Sequence, residues 1–426
     1  MTATTTRTAT TRARVPRPHE IVRHEARWPG LAAPGRAPLR RAVARAVVRH
    51  AVADLPLQIQ FPDGTSIGAG GSGDPLMLIH RPDTFFARLA ADAKIGFGEA
   101  YMAGDWSTGP GTDLADLLTP FASNVATLVP RPLQRFRALA ERRQPAAEEN
   151  TPTQARQNIH RHYDLSNDLF AAFLDETLSY SSALFHEGDD LATAQRRKVD
   201  AILDAAAVGA GTALLEIGTG WGQLAIQAAQ RGAHVTTITL SAEQRDLALR
   251  RIADAGVSDR VTVELTDYRE VRGSYDSIVS VEMIEAVGAR FWPVYFATLD
   301  RLLKPGGRVG LQSITMPHER MLATRNSYTW IHKYIFPGGI VPSVEAIEST
   351  LRTHTSLAIA ERRDFGGDYA TTLKCWRENF LTNWPTLASP RFDPVFKRMW
   401  EFYLAYCEAG FRAGYLGVSQ FALARN

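Results

Sequence analysis

The sequence predicts an α/β protein, with a mostly parallel sheet covered by helices on both faces and a smaller α+β domain ahead of it. Three observations carry this. Between residues 212 and 314, short apolar runs alternate with helical patterns, as they do in a parallel sheet with right-handed crossovers. One run ends in a glycine turn, Gly218-Thr219-Gly220-Trp221-Gly222, that leads straight into a helix. Upstream, residues 57–61 and 65–68 flank Pro62-Asp63-Gly64, a hairpin signal.

A chain of 426 residues has room for two or three domains. Its 45% hydrophobic and 22% charged residues are ordinary for a globular protein. Cys375 and Cys407 are far apart in sequence, which excludes a disulfide framework and fits a reducing cytoplasm. No uncharged apolar run approaches the ~20 residues of a transmembrane helix, so any meeting with lipid is expected at the surface.

Charge is unevenly spread. Residues 1–50 carry eleven Arg, no Lys and only Glu20 and Glu25, a net +9 within a chain of net +3. Such an arm suits an anionic partner, a membrane surface or a nucleic acid. It also has the composition of a transit peptide, or of a biased disordered tail. Residues 1–35 are expected to be that tail. From 36 to 50, Leu39, Val43 and Val47 recur every fourth residue among Arg40, Arg41, Arg45 and Arg49. This is a basic amphipathic helix, which either lies on anionic lipid or packs on the next domain.

An N-terminal domain is expected over 36–125. After the hairpin come a strand at 76–80 and a helix at 82–91, begun by Pro82. Residues 95–106 are a glycine-punctuated aromatic segment with no catalytic constellation. Residues 126–157 form a linker whose Arg131, Arg135, Arg137, Arg142 and Arg143 make a second basic patch. The remaining domain, 158–426, opens on His160, His162, Tyr163 and Asp164 and runs on to Tyr180-Ser181-Ser182. No second His or Cys cluster has ligand spacing, so no metal is expected. Hydroxyls and aromatics together suit a lid over a cofactor.

The glycine turn is G-x-G-x-G, not the G-x-G-x-x-G that seats a pyrophosphate. The next strand, 234–239, ends without the acid that would hold a ribose of NAD, whereas Glu216 stands just before the first glycine. That pattern suits S-adenosylmethionine. A helix over 242–255 and a strand over 261–265 follow, with Asp267 and Tyr268 where an acid and a ring bracket an adenine. Then come a strand at 277–281 with Glu282 and Glu285 beyond it, a helix at 292–303, the turn Lys304-Pro305-Gly306-Gly307, and a strand at 308–314. Trp330, Ile331, Tyr334 and Ile335 share helical spacing, the mark either of a packed core helix or of an apolar acyl tunnel. A last strand, 418–424, is expected at the sheet edge.

The motifs His162-Tyr163-Asp164-Leu165-Ser166-Asn167, Leu215-Glu216-Ile217-Gly218-Thr219-Gly220-Trp221-Gly222, Thr239-Leu240-Ser241-Ala242-Glu243-Gln244 and Phe336-Pro337-Gly338-Gly339 resemble the cyclopropane-fatty-acid synthase family. Residues 96–102 are similar to the N-terminal domain of its phospholipid-acting branch. The resemblance implies a Rossmann-like class I methyltransferase domain with a seven-stranded sheet. It further implies methyl transfer from S-adenosylmethionine to a cis double bond in the acyl chain of a membrane phospholipid.

By position, the cofactor is expected at Tyr163, Tyr180, Ser181, Glu216, Gly218, Gly220, Gly222, Thr239, Leu240, Gln244, Asp267 and Tyr268. The acyl chain is expected at Tyr328, Trp330, Tyr334, Phe336 and Gly339. The family's bicarbonate base would meet Glu285, Ser182, Gln312, Ile314 and Tyr369. Here Ser182 replaces a cysteine and Gln312 a histidine, and Glu282 is an acid where relatives often have glycine. Gln312 hydrogen-bonds but does not titrate, so bicarbonate is in question and a methylene product is favoured over a ring. The expected partners are an anionic membrane surface at the cytoplasmic face, a separate reductase and a second copy of the chain. Nucleic acid is not expected, since no Asn-Pro-Pro-Tyr-like or catalytic Cys motif is present.

Overall fold

In a computed structural model of this chain, residues 28–32, 35, 37–125 and 166–425 are described. Most of the 1–35 tail, the linker 126–157 and the stretch holding His160, His162, Tyr163 and Asp164 lie outside them.

The N-terminal part holds a four-stranded sheet: β1 (Gln58–Gln60), β2 (Ser66–Ile67), β3 (Leu76–Ile79) and β4 (Trp106–Thr108), in the order β2-β1-β3-β4. The hairpin forms as expected, with Ile59 opposite Ile67. Sequence reading missed β4, a strand of three residues. The glycine-punctuated segment is the helix Ala93–Ala103, capped by the Asp92 carboxylate at one end and left-handed Gly104 at the other. Its glycines are explained by close approach. A Cβ on Gly96 would lie 2.3 Å from the Arg88 carbonyl, and one on Gly98 would lie 2.6 Å from the Trp330 indole.

The larger part is a seven-stranded sheet. Its strands are β5 (Ala213–Ile217), β6 (His234–Thr239), β7 (Val261–Leu265), β8 (Tyr275–Val281), β9 (Leu303–Thr315), β10 (Leu357–Asp364) and β11 (Gly417–Arg425), in the order β10-β11-β9-β8-β5-β6-β7. The run β7-β6-β5-β8-β9 is parallel. Strand β11 is antiparallel to both of its neighbours.

Two expectations are corrected here. Strand β9 begins at Leu303 and takes in the Lys304-Pro305-Gly306-Gly307 segment, where its pairing with β8 shifts register. Strand β11 is not an edge strand. It inserts between β9 and β10 with no exposed residue along its length, so β10 and β7 are the edges. Pairing order is a long-range property, and the apolar run at 418–424 says only that the strand is covered.

Hydrophobic residues of the N-terminal part share one core with the helices Asn167–Phe173, Gly366–Leu387 and Pro394–Arg412. The seam between them is polar as well as apolar. Arg377 is nearly buried and donates to Glu408, itself fully buried, and to Asp113 of the N-terminal part at 2.8–3.1 Å.

Candidate functional site

A cleft opens at the C-terminal ends of β5, β6 and β8, the crevice of open α/β sheets where strand order reverses. Its floor is the glycine turn. Gly218, Gly220 and Gly222 all have left-handed φ, at 102°, 51° and 89°. A Cβ on Gly220 would meet nothing within 4 Å, so this glycine is where a ligand can approach the backbone. Gly222 serves packing instead, since it starts the helix Gln223–Gln230 and a Cβ there would lie 3.2 Å from the Ala248 Cβ. Arg251 holds the turn in place by donating to the carbonyls of Trp221 and Thr177.

The walls are polar where a small charged molecule would need them. Tyr180, Ser181, Glu216, Thr239, Leu240, Gln244 and Tyr268 line the cleft. Thr239 Oγ1 donates to Gln244 Oε1 at 3.0 Å, which fixes that side chain. Glu216 is buried with its Oε2 unpartnered, and the Tyr268 hydroxyl is likewise buried without a partner. Burial pushes the Glu216 carboxyl up to about 8. An orphaned acceptor, an orphaned hydroxyl and an open glycine cradle are what a cationic nucleoside such as S-adenosylmethionine would satisfy.

Asp267 does not line the cleft. Its two oxygens are engaged by Arg269, whose Nε and Nη2 donate to it at 2.8 and 2.6 Å. Its neighbours Thr266 and Tyr268 line the cleft instead. Lys198 was missed in the sequence. It lies beneath Ser181 and donates from Nζ to the Ser181 hydroxyl, and burial lowers its ammonium to about 8. The available signal was a lysine among the buried positions Ala194, Gln195, Val199 and Ile202 of the helix Leu191–Ala205.

Next to the cleft is a buried cluster built around two carboxylates. Glu282, which also lines the cleft, follows β8 with a left-handed φ of 50°. Its Oε1 accepts from the Ser182 backbone N–H and from Gln312 Nε2, both at 2.9 Å. Its Oε2 accepts from the Tyr369 hydroxyl at 2.8 Å. Gln420 Nε2 donates to Gln312 Oε1 at 3.0 Å, so the Gln312 amide turns its N–H groups toward Glu282. Glu285 Oε1 accepts from the Ile314 backbone N–H at 2.5 Å and from the Ser313 hydroxyl at 3.0 Å, while its Oε2 is buried and unpartnered. Burial raises both acids, Glu285 to about 8 with the Glu282 charge adding to the effect.

The loop carrying Ser182 is stapled to the helix Gly366–Leu387 that carries Tyr369. Ala183 N–H donates to Thr372 Oγ1, and Phe185 N–H to Asp368 Oδ2. All five residues expected around the base therefore converge, with Glu282 among them. In sequence Glu282 stood out as an acid just after a strand, at a position where relatives often have glycine.

The expected acyl-chain residues divide. Trp330 is buried against Phe402 and donates to the Met102 sulfur, and Tyr334 donates to Glu99. Both therefore serve the seam with the N-terminal part, which favours the packed-helix alternative for this stripe. Tyr328 stacks with His332. Phe336 packs on Tyr403, whose hydroxyl is 2.7 Å from that of cleft-lining Tyr180. Gly339 sits beside the carboxylate cluster, and Ile340 N–H donates to the Glu285 carbonyl. Among the described residues no group of His, Cys, Asp or Glu is arranged to hold a metal ion.

Known proteins resemble this chain along most of its length. The family model described as mycolic acid cyclopropane synthetase matches residues 150–421. A tuberculostearic acid methyltransferase, UfaA1 of Mycobacterium tuberculosis, is 51% identical over 411 residues, 94% of this chain and 96% of that protein. The cyclopropane-fatty-acyl-phospholipid synthase of Escherichia coli is 36% identical, over 84% of this chain and 90% of that protein. The mycolic acid cyclopropane synthase CmaA1, crystallised with S-adenosylhomocysteine (SAH) and CTAB, is 28% identical. It superimposes with a TM-score of 0.58 over 66% of this chain and 98% of its own.

Proposed function

Because the chain belongs to the mycolic acid cyclopropane synthetase family and is an S-adenosylmethionine-dependent methyltransferase, we propose that it methylates the cis double bond of an oleoyl-like acyl chain in a membrane phospholipid. The favoured product is a methylene fatty acid, with a cyclopropane as the alternative outcome at the same site. The resemblance to a tuberculostearic acid methyltransferase supports the methylene side.

The observation that carries this reading is that one cleft joins the glycine turn to an aromatic wall. Tyr180 lines the cleft and packs against Phe170, Phe173 and Trp376 at 5.2–5.9 Å between ring centres. In this reading Gly218, Gly220, Glu216, Ser181, Thr239, Leu240, Gln244 and Tyr268 hold S-adenosylmethionine, which when bound supplies an electrophilic methyl group. The chain's own residues do the rest. The alkene is a weak nucleophile, so aligning it in a dry channel is the protein's largest contribution. The ring of Tyr180, held in place by buried Phe170 and Trp376, then stabilises the positive charge that develops on the acyl chain. A methylene product still contains a double bond, which a separate hydride-donating reductase would saturate to a methyl branch.

The basic helix Pro38–Val52 fits a lipid surface. Val52 is buried and Arg41 pairs with Asp83, but Leu39 and Val43 are 79% and 54% exposed, beside exposed Arg40 and Arg49. No described helix is long and apolar enough to cross a membrane. We place the enzyme peripherally on the inner face of the membrane, as a homodimer presenting two such helices.

The test is mass spectrometry of fatty acids from cells expressing the chain and fed oleate, with derivatisation that locates double bonds. A one-carbon gain with a new exocyclic double bond is expected. A ring would transfer the reading to cyclopropane formation, and no added carbon would overturn it.

A further inference from the structure

We propose that the Glu282 carboxylate is the resident base of this enzyme, taking the proton from the methylated acyl chain where the family resemblance implied a bound bicarbonate ion. This deepens the reading above and rests on it.

The donors that would hold the ion are already taken. Ser182 N–H, Gln312 Nε2 and the Tyr369 hydroxyl all donate to Glu282 at 2.8–2.9 Å, and Ile314 N–H donates to Glu285. A carboxylate in the middle of the cradle is what these donors were built to hold, and it is part of the chain. Adding bicarbonate would place a third anion beside Glu282 and Glu285 in a site walled by buried Ser182, Gln312 and Tyr369. Lys198 is the cation whose charge acts on Glu282 there. Burying a further unpaired charge of that kind is strongly unfavourable.

The backbone points the same way. Glu282 is held at φ 50°, a left-handed conformation that costs a residue with a side chain ~1–2 kcal/mol and that glycine adopts freely. Strain of this kind persists where the surroundings enforce it and gathers at functional sites. Here it brings the carboxylate into the cradle.

The cradle also leaves Glu282 able to act. A carboxylate accepts about four hydrogen bonds, and three are used, leaving a lone pair on Oε2. Gln312 donates without titrating, so a proton taken up stays on Glu282. Glu282 lines the cleft, whereas Glu285 does not.

The π pair of the alkene forms the new carbon–carbon bond as the carbon–sulfur bond to the methyl breaks, its electrons staying on sulfur. The cationic carbon is adjacent to the methylated one, and a hydride shift moves the charge onto the methylated carbon. A C–H bond of the new methyl then breaks, its pair forming the exocyclic double bond and its proton passing to Glu282 Oε2. The proton leaves to solvent once product departs.

The test uses the purified full chain, methyl-labelled S-adenosylmethionine and vesicles of dioleoyl phosphatidylglycerol, in buffer stripped of carbon dioxide and in buffer with excess bicarbonate. The wild type is expected to turn over equally in both. Glu282→Gln should lose about 100-fold or more in turnover while its melting temperature and S-adenosylmethionine affinity stay close to wild type. Glu282→Gly, which relieves the backbone, should be inactive without bicarbonate and regain activity with bicarbonate or formate. A wild type that needs bicarbonate, or a Glu282→Gln chain within about tenfold of wild type, overturns the proposal. If Glu282→Gln fails to fold, the glycine variant decides: activity that is equal in both buffers, or absent from both, overturns it. A wild type that labels no acyl chain in either buffer overturns the methyl-transfer reading itself, and this proposal with it.

Discussion

The cofactor cleft and the carboxylate cluster touch through Glu282, yet they are built in opposite ways. The cleft floor is local: Glu216, Gly218, Gly220 and Gly222 follow one another within a strand, a turn and a helix start. The cluster is assembled from Ser182, Glu282, Gln312 and Tyr369, which come from four separate stretches of chain. Its geometry is therefore a property of packing, and in particular of the helix Gly366–Leu387. A contiguous site tolerates distant disturbance, whereas an assembled one transmits it.

The sharpest way to break that contrast is Arg377→Ala. Removing this guanidinium leaves buried Glu408 without its strongest partner on the helix that carries Tyr369, at a cost of about 3–5 kcal/mol. Denaturant unfolding should show that loss. The fraction still folded should bind S-adenosylmethionine normally but methylate poorly.

Gly220→Val attacks the other side. A branched side chain at φ 51° in the open mouth of the cleft should weaken S-adenosylmethionine binding by about 100-fold, equivalent to ~3 kcal/mol, as read by calorimetry. Its melting temperature should fall far less than that of Arg377→Ala.

Tyr369→Phe removes one donor from Glu282. Turnover should drop about 10-fold with cofactor affinity unchanged, since one hydrogen bond to a charged group contributes ~1.5–3 kcal/mol. The pH profile sharpens the same point. Burial raises Glu282 above the ordinary 4.5, opposed by the hydrogen bonds from Ser182 and Gln312 and then by Lys198 and Tyr369. The base works ionised, so the acid limb of turnover should lie above the usual carboxylate range. Stability runs the other way. With Glu216 and Glu285 at about 8 when folded and 4.5 when unfolded, the folded state binds more protons across that window. Stability contributed by these two acids should therefore decline as pH rises through it, as thermal melts in a pH series would show.

Least in magnitude, Leu39→Asp with Val43→Asp should reduce binding to anionic vesicles severalfold in a salt-sensitive manner, leaving S-adenosylmethionine affinity intact.

Legibility in the sequence follows the same division. Strands β5 to β8 and the glycine turn were readable because each is fixed by neighbours a few residues away. The insertion of β11 between β9 and β10 was not, because an apolar run does not name its partners. Nor was the fate of Trp330 and Tyr334. Their helical spacing suits a tunnel or a core equally, and Gly98 and Glu99, more than 200 residues earlier, decide for the core. The resemblance brought Ser182, Gln312 and Tyr369 together, but only the fold shows that Glu282 occupies the centre of their donors. Lys198 went unread because a lysine in an amphipathic helix ordinarily faces water.

The most direct test of this chemistry is to supply S-adenosylmethionine with a fully deuterated methyl group to the purified chain and oleoyl phospholipid vesicles. An acyl chain carrying the label with one deuteron missing is expected, because the base removes it from the transferred methyl. No label on the acyl chain, or a methyl that keeps every deuteron, would contradict it.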